Sequence, residues 1–325
     1  MAELTCRDAL NQAMHEEMER DPAVFILGED VGLYEGSFKV TRGLLARFGE
    51  KRVLDTPIAE AGIVGMACGA AMAGLRPIAE LMTVNFAIVA MDQIINHAAV
   101  IHYMFGGQLT VPFTIRAPGG GGHQLGAQHS HSLEALFAHC PGLRVVVPSV
   151  PADAKGLLKS AIRSDDPVMF LEHEGLYATK GEVPDGEHIV PLGVADIKRP
   201  GRDVTLITVS RMVYVCLEAA KVLAREGIEA EVLDLRSLNP LDMETVLASV
   251  RRTHRAVTVE ESWLSYGWGG EVVARVMEEA FDDLDGPVLR VGGADVPMPY
   301  AKNLEQAAIP DAARVAARVR SLLGS

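Results

Sequence analysis

Basic charge is in short supply in this sequence. Lys and Arg number 30 against 43 Asp and Glu, leaving a formal net charge of −13 over 325 residues. No basic stripe and no interleaving of Arg with aromatics is present, which argues against nucleic acid or an anionic membrane surface as the main partner. Cysteine is scarce too. Cys6, Cys68, Cys140 and Cys216 lie far apart and form no C-x-x-C, so a disulfide scaffold or zinc ribbon is not expected. Reduced thiols point to a cytoplasm-like compartment. The first residues, "MAELTCRDALNQAMHEEMERD", are amphipathic and acidic, unlike a signal peptide or an Arg-rich transit peptide; the expectation from both features is a cytoplasmic protein. The longest apolar runs are broken by Gly and Pro and are short for a membrane span. Also missing are the G-x-x-x-x-G-K-[ST] of a P-loop, the G-x-G-x-x-G of a dinucleotide fold and the G-x-S-x-G of a nucleophile elbow. Aromatics make up only 5%.

What is present is apolar: 49% of the residues are hydrophobic, enough for a substantial core, and the length suits about two domains. Short apolar runs such as "AVFILG", "RPIAELM", "VPFTIRAP", "GLRVVVPS" and "PVMFLEH" alternate with helical patterns. Thr5 can cap a helix to about Arg20, and Pro151 suits the first turn of "PADAKGLLKSAIR". Strands that are apolar throughout and separated by helices signal a parallel sheet covered on both faces. From about Gly175 to Asp203 the composition shifts to Gly, Pro and charge, which reads as a linker with room for a hairpin. "VTLITVS" then starts a second alternating unit. The expectation is an α/β chain of two doubly wound open-sheet domains, at 1–175 and 203–325, with a linker at 176–202.

Four stretches are candidates for chemistry. In "DTPIAEAGIVGMACGAAMAGLRP", Glu60 is the one carboxylate between Asp55 and Arg76. A first-turn acid favoured by the helix dipole is the plain reading. The glycines behind it cost helix propensity, which a sequence tolerates where another backbone or a ligand must come close. That suggests a carboxylate at a poorly hydrated seam, poised for proton exchange. The second stretch, "PGGGGHQLGAQHSHSLE", carries His123, His129 and His131. His129 and His131 could meet one metal ion, but no Asp, Cys or further His pair accompanies them; an imidazole serving acid–base or anion contact fits better. Third, Phe86 follows a strand's C-terminal end, where open α/β sheets bind ligands, though a core Phe fits equally. Fourth, "VEESWLSYGWGGEV" holds both tryptophans, Trp263 and Trp268, and reads as a subunit contact.

Taken together, "GEDVGLYEGSFKVTRGL", "RVLDTPIAEAGIVGMACGAAMAGLRPIAE", "MDQIINHAA", "YMFGGQ", "AQHSHSLEALFAHCPGLRVVVPS", "PADAKGLLKSAIR" and "DVPMPYAKNLE" resemble the beta subunit of the thiamine-diphosphate-dependent 2-oxo acid dehydrogenase component, in its pyruvate or acetoin branch. The resemblance covers nearly the whole chain. It implies a transketolase-like pyrimidine-binding domain followed by a transketolase C-terminal-like domain. By position it implies that Glu60 hydrogen-bonds the aminopyrimidine ring nitrogen of thiamine diphosphate, that Phe86, Ile58 and Met82 line the pyrimidine pocket, and that His129 assists proton transfer or acyl transfer to a lipoyl group. A structural potassium ion would fall near Phe113, Ala161, Ile162, Ser164 and Asp166. The chain departs from the family pattern in having His131 where Gln is usual, and in Ser164 and Asp166. The GDG-then-Asn motif that clamps Mg2+ to the diphosphate is missing, so the resemblance implies a separate alpha subunit, an α2β2 heterotetramer and a lipoyl-bearing dihydrolipoyl acyltransferase as partners. The activity implied is oxidative decarboxylation of a 2-oxo acid, pyruvate first, with reductive acylation of the lipoyl group. Branched-chain 2-oxo acids or acetoin are alternatives, and a non-catalytic partner subunit is the alternative of another class.

Overall fold

A computed structural model describes residues 1–324. By contacts the chain divides into two units. The first comprises Met1–Gly119 and Leu136–Leu192; the second comprises Gly120–Ala135 and the chain from Gly193 onward.

In the first unit the elements are β1 (Ala2–Thr5), α1 (Cys6–Arg20), β2 (Val24–Gly28), α2 (Leu44–Phe48), β3 (Val53–Asp55), α3 (Glu60–Met72), β4 (Arg76–Glu80), α4 (Ile101–Met104), β5 (Thr114–Gly119), α5 (Glu134–Ala138, which begins at the junction), β6 (Arg144–Val146), α6 (Pro151–Arg163), β7 (Val168–His173) and β8 (Lys180–Val183). Its strands lie in the order β6-β7-β5-β4-β2-β3, and every neighbouring pair is parallel. The reason lies in the residues. β5 and β7 are buried at every position, which excludes the half-solvated alternation of an exposed sheet. α1 starts where Thr5 Oγ1 accepts from the Asp8 amide at 3.1 Å. Leu10, Met14 and Met18 of α1 and Leu157, Leu158 and Ile162 of α6 pack with Val24, Ile26, Ile78, Val168 and Phe170 of the strands in one core.

Two local expectations differ from the structure. The stretch read as a linker is ordered. β8 pairs antiparallel with β1, Ala2 opposite Val183, and β9 (Asp196–Arg199) joins the second sheet. Backbone groups in a polar stretch still need partners, and here sheet edges supply them. The long helical pattern around "FAIVAMDQIINHAAVIHYM" is broken into a 3-10 segment (Val84–Ala90), a π-helical segment (Asp92–Ala98) and the short α4. The Gln93 side chain of the π-helical segment lies over Gly65, where a Cβ would sit 3.3 Å from its Oε1.

The second unit contains β9, β10 (Val204–Thr208), α7 (Met212–Ala224), β11 (Ala230–Asp234), β12 (Ser237–Asn239), α8 (Met243–Thr253), β13 (Ala256–Trp263), α9 (Gly269–Ala280), β14 (Leu289–Gly293), α10 (Lys302–Ala308) and α11 (Ala312–Leu323). Its sheet order is β14-β13-β10-β11-β9, parallel except for β9 against β11. The core joins Val204, Leu206, Val232, Val257 and Val259 of the strands to Val213, Cys216, Leu223, Val315 and Val319 of the helices. Asp242 and Asp311 cap α8 and α11 by accepting from Thr245 N–H and Arg314 N–H. Among the described residues no single helix is long and apolar enough to cross a membrane.

Candidate active site

Three parallel neighbours, β3, β2 and β4, end at Asp55, Gly28 and Glu80, so the segments that follow all leave the same carboxyl edge of the sheet. That edge is where open α/β sheets bind ligands. The segment after β3 carries Ile58 and leads into α3 at Glu60. The segment after β4 carries Met82 and Phe86, and the 3-10 turn that contains Phe86 packs on α3. Glu29, immediately after β2, completes the edge.

Glu60 opens α3, whose N-cap, Ala59, has no side-chain oxygen to offer the helix. The partial positive charge there favours an anion. The carboxylate is half-buried and, among the described residues, takes no hydrogen bond and no ion pair. Its charge acts on Glu29, whose carboxyl is held above the usual range by burial first and then by the charges of Asp30 and Glu60. Glu29 was not among the residues singled out from the sequence. Its place directly after a buried parallel strand is the signal that could have found it. The loop behind it is pinned by Asp55, which accepts from Gly32 N–H at 2.6 Å and Leu33 N–H at 3.0 Å.

Ile58 is 71% exposed, whereas Met82 and Phe86 are half-buried. Each of the two segments also buries a hydroxyl that has no hydrogen-bond partner among the described residues, Thr56 Oγ1 and Thr83 Oγ1. An apolar and aromatic lining, an unengaged carboxylate and unspent hydroxyls fit a flat heteroaromatic ring with polar edges.

His129 sits elsewhere in the chain's organisation. It is half-buried in the loop 120–135, which belongs to the second unit. Ser130, His131 and Ser132 line a small cavity there with Trp263, Val296 and Met298. His131, in place of the family's Gln, stands edge-on to Trp263 at 5.5 Å, and burial lowers its pKa. Of the two tryptophans read as a subunit contact, Trp268 is buried, and Trp263 is half-buried with its Nε1 donating to the Val296 carbonyl at 3.0 Å. Tyr266, between them, is the exposed aromatic.

The loop expected to hold potassium is already engaged. The Arg76 guanidinium donates to the Ile162 carbonyl at 3.2 Å and the Ser164 carbonyl at 3.0 Å. The Ala161 carbonyl accepts from Ser164 N–H, the Phe113 carbonyl from Val168 N–H, and Arg144 holds the Asp166 carboxylate. A potassium ion would have to share the Ile162 and Ser164 carbonyls with a guanidinium, and like charges at such separations repel. The residues present do not form a free cage for it. Among the described residues, no three His, Cys, Asp or Glu side chains gather as a metal-binding group either.

Comparison with known proteins agrees with this architecture. Residues 2–180 match the model of the transketolase pyrimidine binding domain, and residues 193–315 that of the transketolase C-terminal domain. A split-gene transketolase chain, solved as an inactive beta4 tetramer, superposes with a TM-score of 0.81 at 28% identity, covering 99% of this chain and 98% of that one. Transketolase from Campylobacter jejuni superposes with a TM-score of 0.72 at 14% identity, over 99% of this chain and 47% of its own, and so shares the fold. Among curated proteins, pyruvate dehydrogenase E1 component subunit beta-2, mitochondrial, of Oryza sativa is 53% identical over 95% of this chain and 83% of its own. The mitochondrial beta subunit of Homo sapiens is 52% identical over 95% of this chain and 87% of its own. The mitochondrial beta subunit of Dictyostelium discoideum is 52% identical over 94% and 87%.

These names overturn the cytoplasmic expectation, since the relatives are mitochondrial proteins. The error has a physical source. The four cysteines are buried and unpaired, and thiols without a partner in reach identify no compartment. The acidic, amphipathic first twenty residues are β1 and α1, so their composition serves packing. Two matched domains, a shared sheet topology and more than half of the residues identical over nearly the full length establish that the chain belongs to the family of pyruvate dehydrogenase E1 component beta subunits, an oxidoreductase component of transketolase-like fold.

Proposed function

We propose that the chain is one half of a shared active site that decarboxylates pyruvate oxidatively and passes the acyl group to a lipoyl carrier. The observation that carries this reading is the half-buried Glu60 carboxylate, without a partner among the described residues, at the head of a helix on the sheet edge from which the segments of Ile58, Met82 and Phe86 leave. Thiamine diphosphate, when bound, would supply the electron sink for loss of carbon dioxide from a 2-oxo acid. Glu60 would hold a proton at its carboxylate and share it with the ring nitrogen of the aminopyrimidine. Phe86 and Met82 would fix the ring's plane and exclude water from that contact. Burial first, and then the charges of Asp30 and Glu60, hold the Glu29 carboxyl above the usual range on the same edge. His129 would hold or deliver a proton at its imidazole during acyl transfer.

An alpha subunit is part of the reading. The sequence has no diphosphate-clamping motif, and no group of metal-ligating side chains gathers among the described residues, so magnesium would be held by the partner. The split-gene transketolase chain of the same two-domain length is inactive as a tetramer of itself. The surface of the first unit supports a partner as well. Tyr103 is 88% exposed, Met66, Ile88, Val89 and Met104 are exposed, and a Cβ on Gly69 of α3 would meet nothing within 4 Å. Exposed apolar side chains of this size favour burial by a partner, and an α2β2 assembly would cover them. The lipoyl group would be carried by a dihydrolipoyl acyltransferase.

The test is Glu60→Gln in chain co-expressed with its alpha subunit, followed by dye-linked oxidation of pyruvate with thiamine diphosphate and magnesium. The expected result is an intact assembly by size-exclusion chromatography whose kcat falls by about two orders of magnitude or more. A Glu60→Gln assembly of undiminished activity would refute the proposal. Full activity of the chain without an alpha subunit would refute its shared-site half.

A further inference from the structure

The loop that carries His129 is held by the second unit's own carboxylates. Gly120 N–H donates to the His131 carbonyl at 2.9 Å and so closes residues 120–131 at the neck. Gly121 N–H donates to Glu261 Oε1 at 2.6 Å, while Arg211 Nη1 donates to the Gly121 carbonyl at 2.9 Å and lies 3.7 Å from Glu261 Oε2. Gly122 N–H and Gln124 N–H both donate to Glu305 Oε1, at 2.9 Å each. Glu305, on α10, is 1% exposed. Among the described residues no cation faces it, and the two loop amides are its side chain's hydrogen bonds.

A buried carboxylate without a cation is costly, and a short amphipathic helix such as α10 has no packing need for one. Two charge-assisted bonds to one stretch of backbone are what it provides. That backbone needs holding. Gly120, Gly122, Gln124 and Gly126 all have positive φ, at 87°, 111°, 55° and 76°. For Gln124, with its Cβ, the left-handed region is strained. Side chains of the same unit close the space around the loop. A Cβ on Gly121 would lie 2.8 Å from Ile309 Cδ1, and one on Gly126 would lie 2.2 Å from Tyr300 Cζ.

We propose that Glu305, supported by Glu261, is a positioning residue for the reaction: it locks the glycine loop in the one conformation that presents His129. The inference rests on the reading of His129 as a proton-handling group. The two carboxylates lie 140 and more residues beyond the loop they hold.

The test uses the chain co-expressed with its alpha subunit. Glu305→Ala, Glu305→Gln, His129→Gln and the double variant Glu305→Ala/His129→Gln are compared in reductive acylation, with hydrogen exchange followed on peptides spanning 120–131. Glu305→Ala is expected to raise exchange in this loop and to lower kcat about ten- to a hundredfold, the cost of misplacing a group by an ångström or so, with KM for pyruvate little changed. Glu305→Gln keeps an oxygen acceptor in place and is expected to recover most of the loss. It also guards against an Ala variant that does not fold. The double variant is expected to be no slower than His129→Gln alone, because a residue acting through His129 has nothing left to act on. Losses that multiply in the double variant, or unchanged exchange in the loop, overturn the proposal. A fully active His129→Gln also overturns it by removing its premise, and that single variant identifies the failure as one of the His129 reading.

Discussion

Glu174 stands in a single 3-10 turn, Glu174–Leu176, directly after β7. It is 5% exposed, and neither carboxylate oxygen has a hydrogen-bond partner among the described residues. Burial alone pushes its carboxyl from 4.5 up to about 7. The sign of the consequence follows from linkage. Below pH 4.5 the group is neutral in both the folded and the unfolded chain and costs nothing. Between pH 4.5 and about 7 the unfolded chain gives up its proton while the folded chain keeps it, so stability falls as pH rises. Above pH 7 the penalty is complete, at about 3 kcal/mol for a shift of this size. Glu174→Gln cannot ionise and removes that slope. Its amide meets the same unsatisfied surroundings at every pH, so the comparison between two pH values isolates the charge. Thermal unfolding of wild type and Glu174→Gln at pH 4.5 and pH 8 is the assay. The variant should gain at pH 8 relative to pH 4.5, by a midpoint difference of roughly 5 °C or more. Parallel midpoint curves for the two proteins would show that the carboxylate is solvated or paired when ionised, and the reasoning from burial would be wrong.

Other outcomes follow from packing and charge. Gly69→Ala adds a Cβ to open space in α3 at a residue without positive φ, so the isolated chain should gain up to about 1 kcal/mol in helix stability; Gly69→Phe should leave the chain folded yet block assembly with an alpha subunit, as read by size-exclusion chromatography, and a normal assembly would show that α3's exposed face lies outside the interface. Arg116 is buried between Glu80 and Glu172, with Tyr177 Oη donating to Glu172 Oε2 at 2.7 Å. Arg116→Leu strands two buried carboxylates and should cost about 3–5 kcal/mol in chemical denaturation, whereas a loss under about 1 kcal/mol would mean that water reaches the cluster.

The physical origin of the corrections is instructive. The segment 120–135 reads as part of the first unit because β5 runs straight into it. Its hydrogen bonds go instead to Glu261 and Glu305, and no local pattern announces a partner 140 or 180 residues away. The charged, Gly- and Pro-rich stretch before the second unit resembles a linker because composition is blind to a sheet edge. β8 became a strand because β1, about 180 residues earlier, offers its unpaired amides and carbonyls. The helical periodicity across 84–104 was real, but periodicity does not distinguish an α-helix from a chain that tightens and then widens around the Gln93 side chain over Gly65.

The sequence by itself determined the elements whose causes are local: Thr5 as a cap, Pro151 in a first turn, the parallel strands written as unbroken apolar runs, and Glu60 at the head of a helix. It also carried enough matching residues to place the chain in its family. Only the tertiary structure decided which polar groups are spent and which are free. Among the described residues Glu60 is unengaged, Glu305 is committed to a loop, Arg76 occupies two of the carbonyls expected to hold potassium, and Glu174 is buried without a hydrogen-bond partner. The reason is one of range. Capping, turn chemistry and hydrophobic period act within a few residues, whereas the protonation and pairing of a carboxylate depend on whatever the fold brings within hydrogen-bonding distance, and that is set by the whole chain.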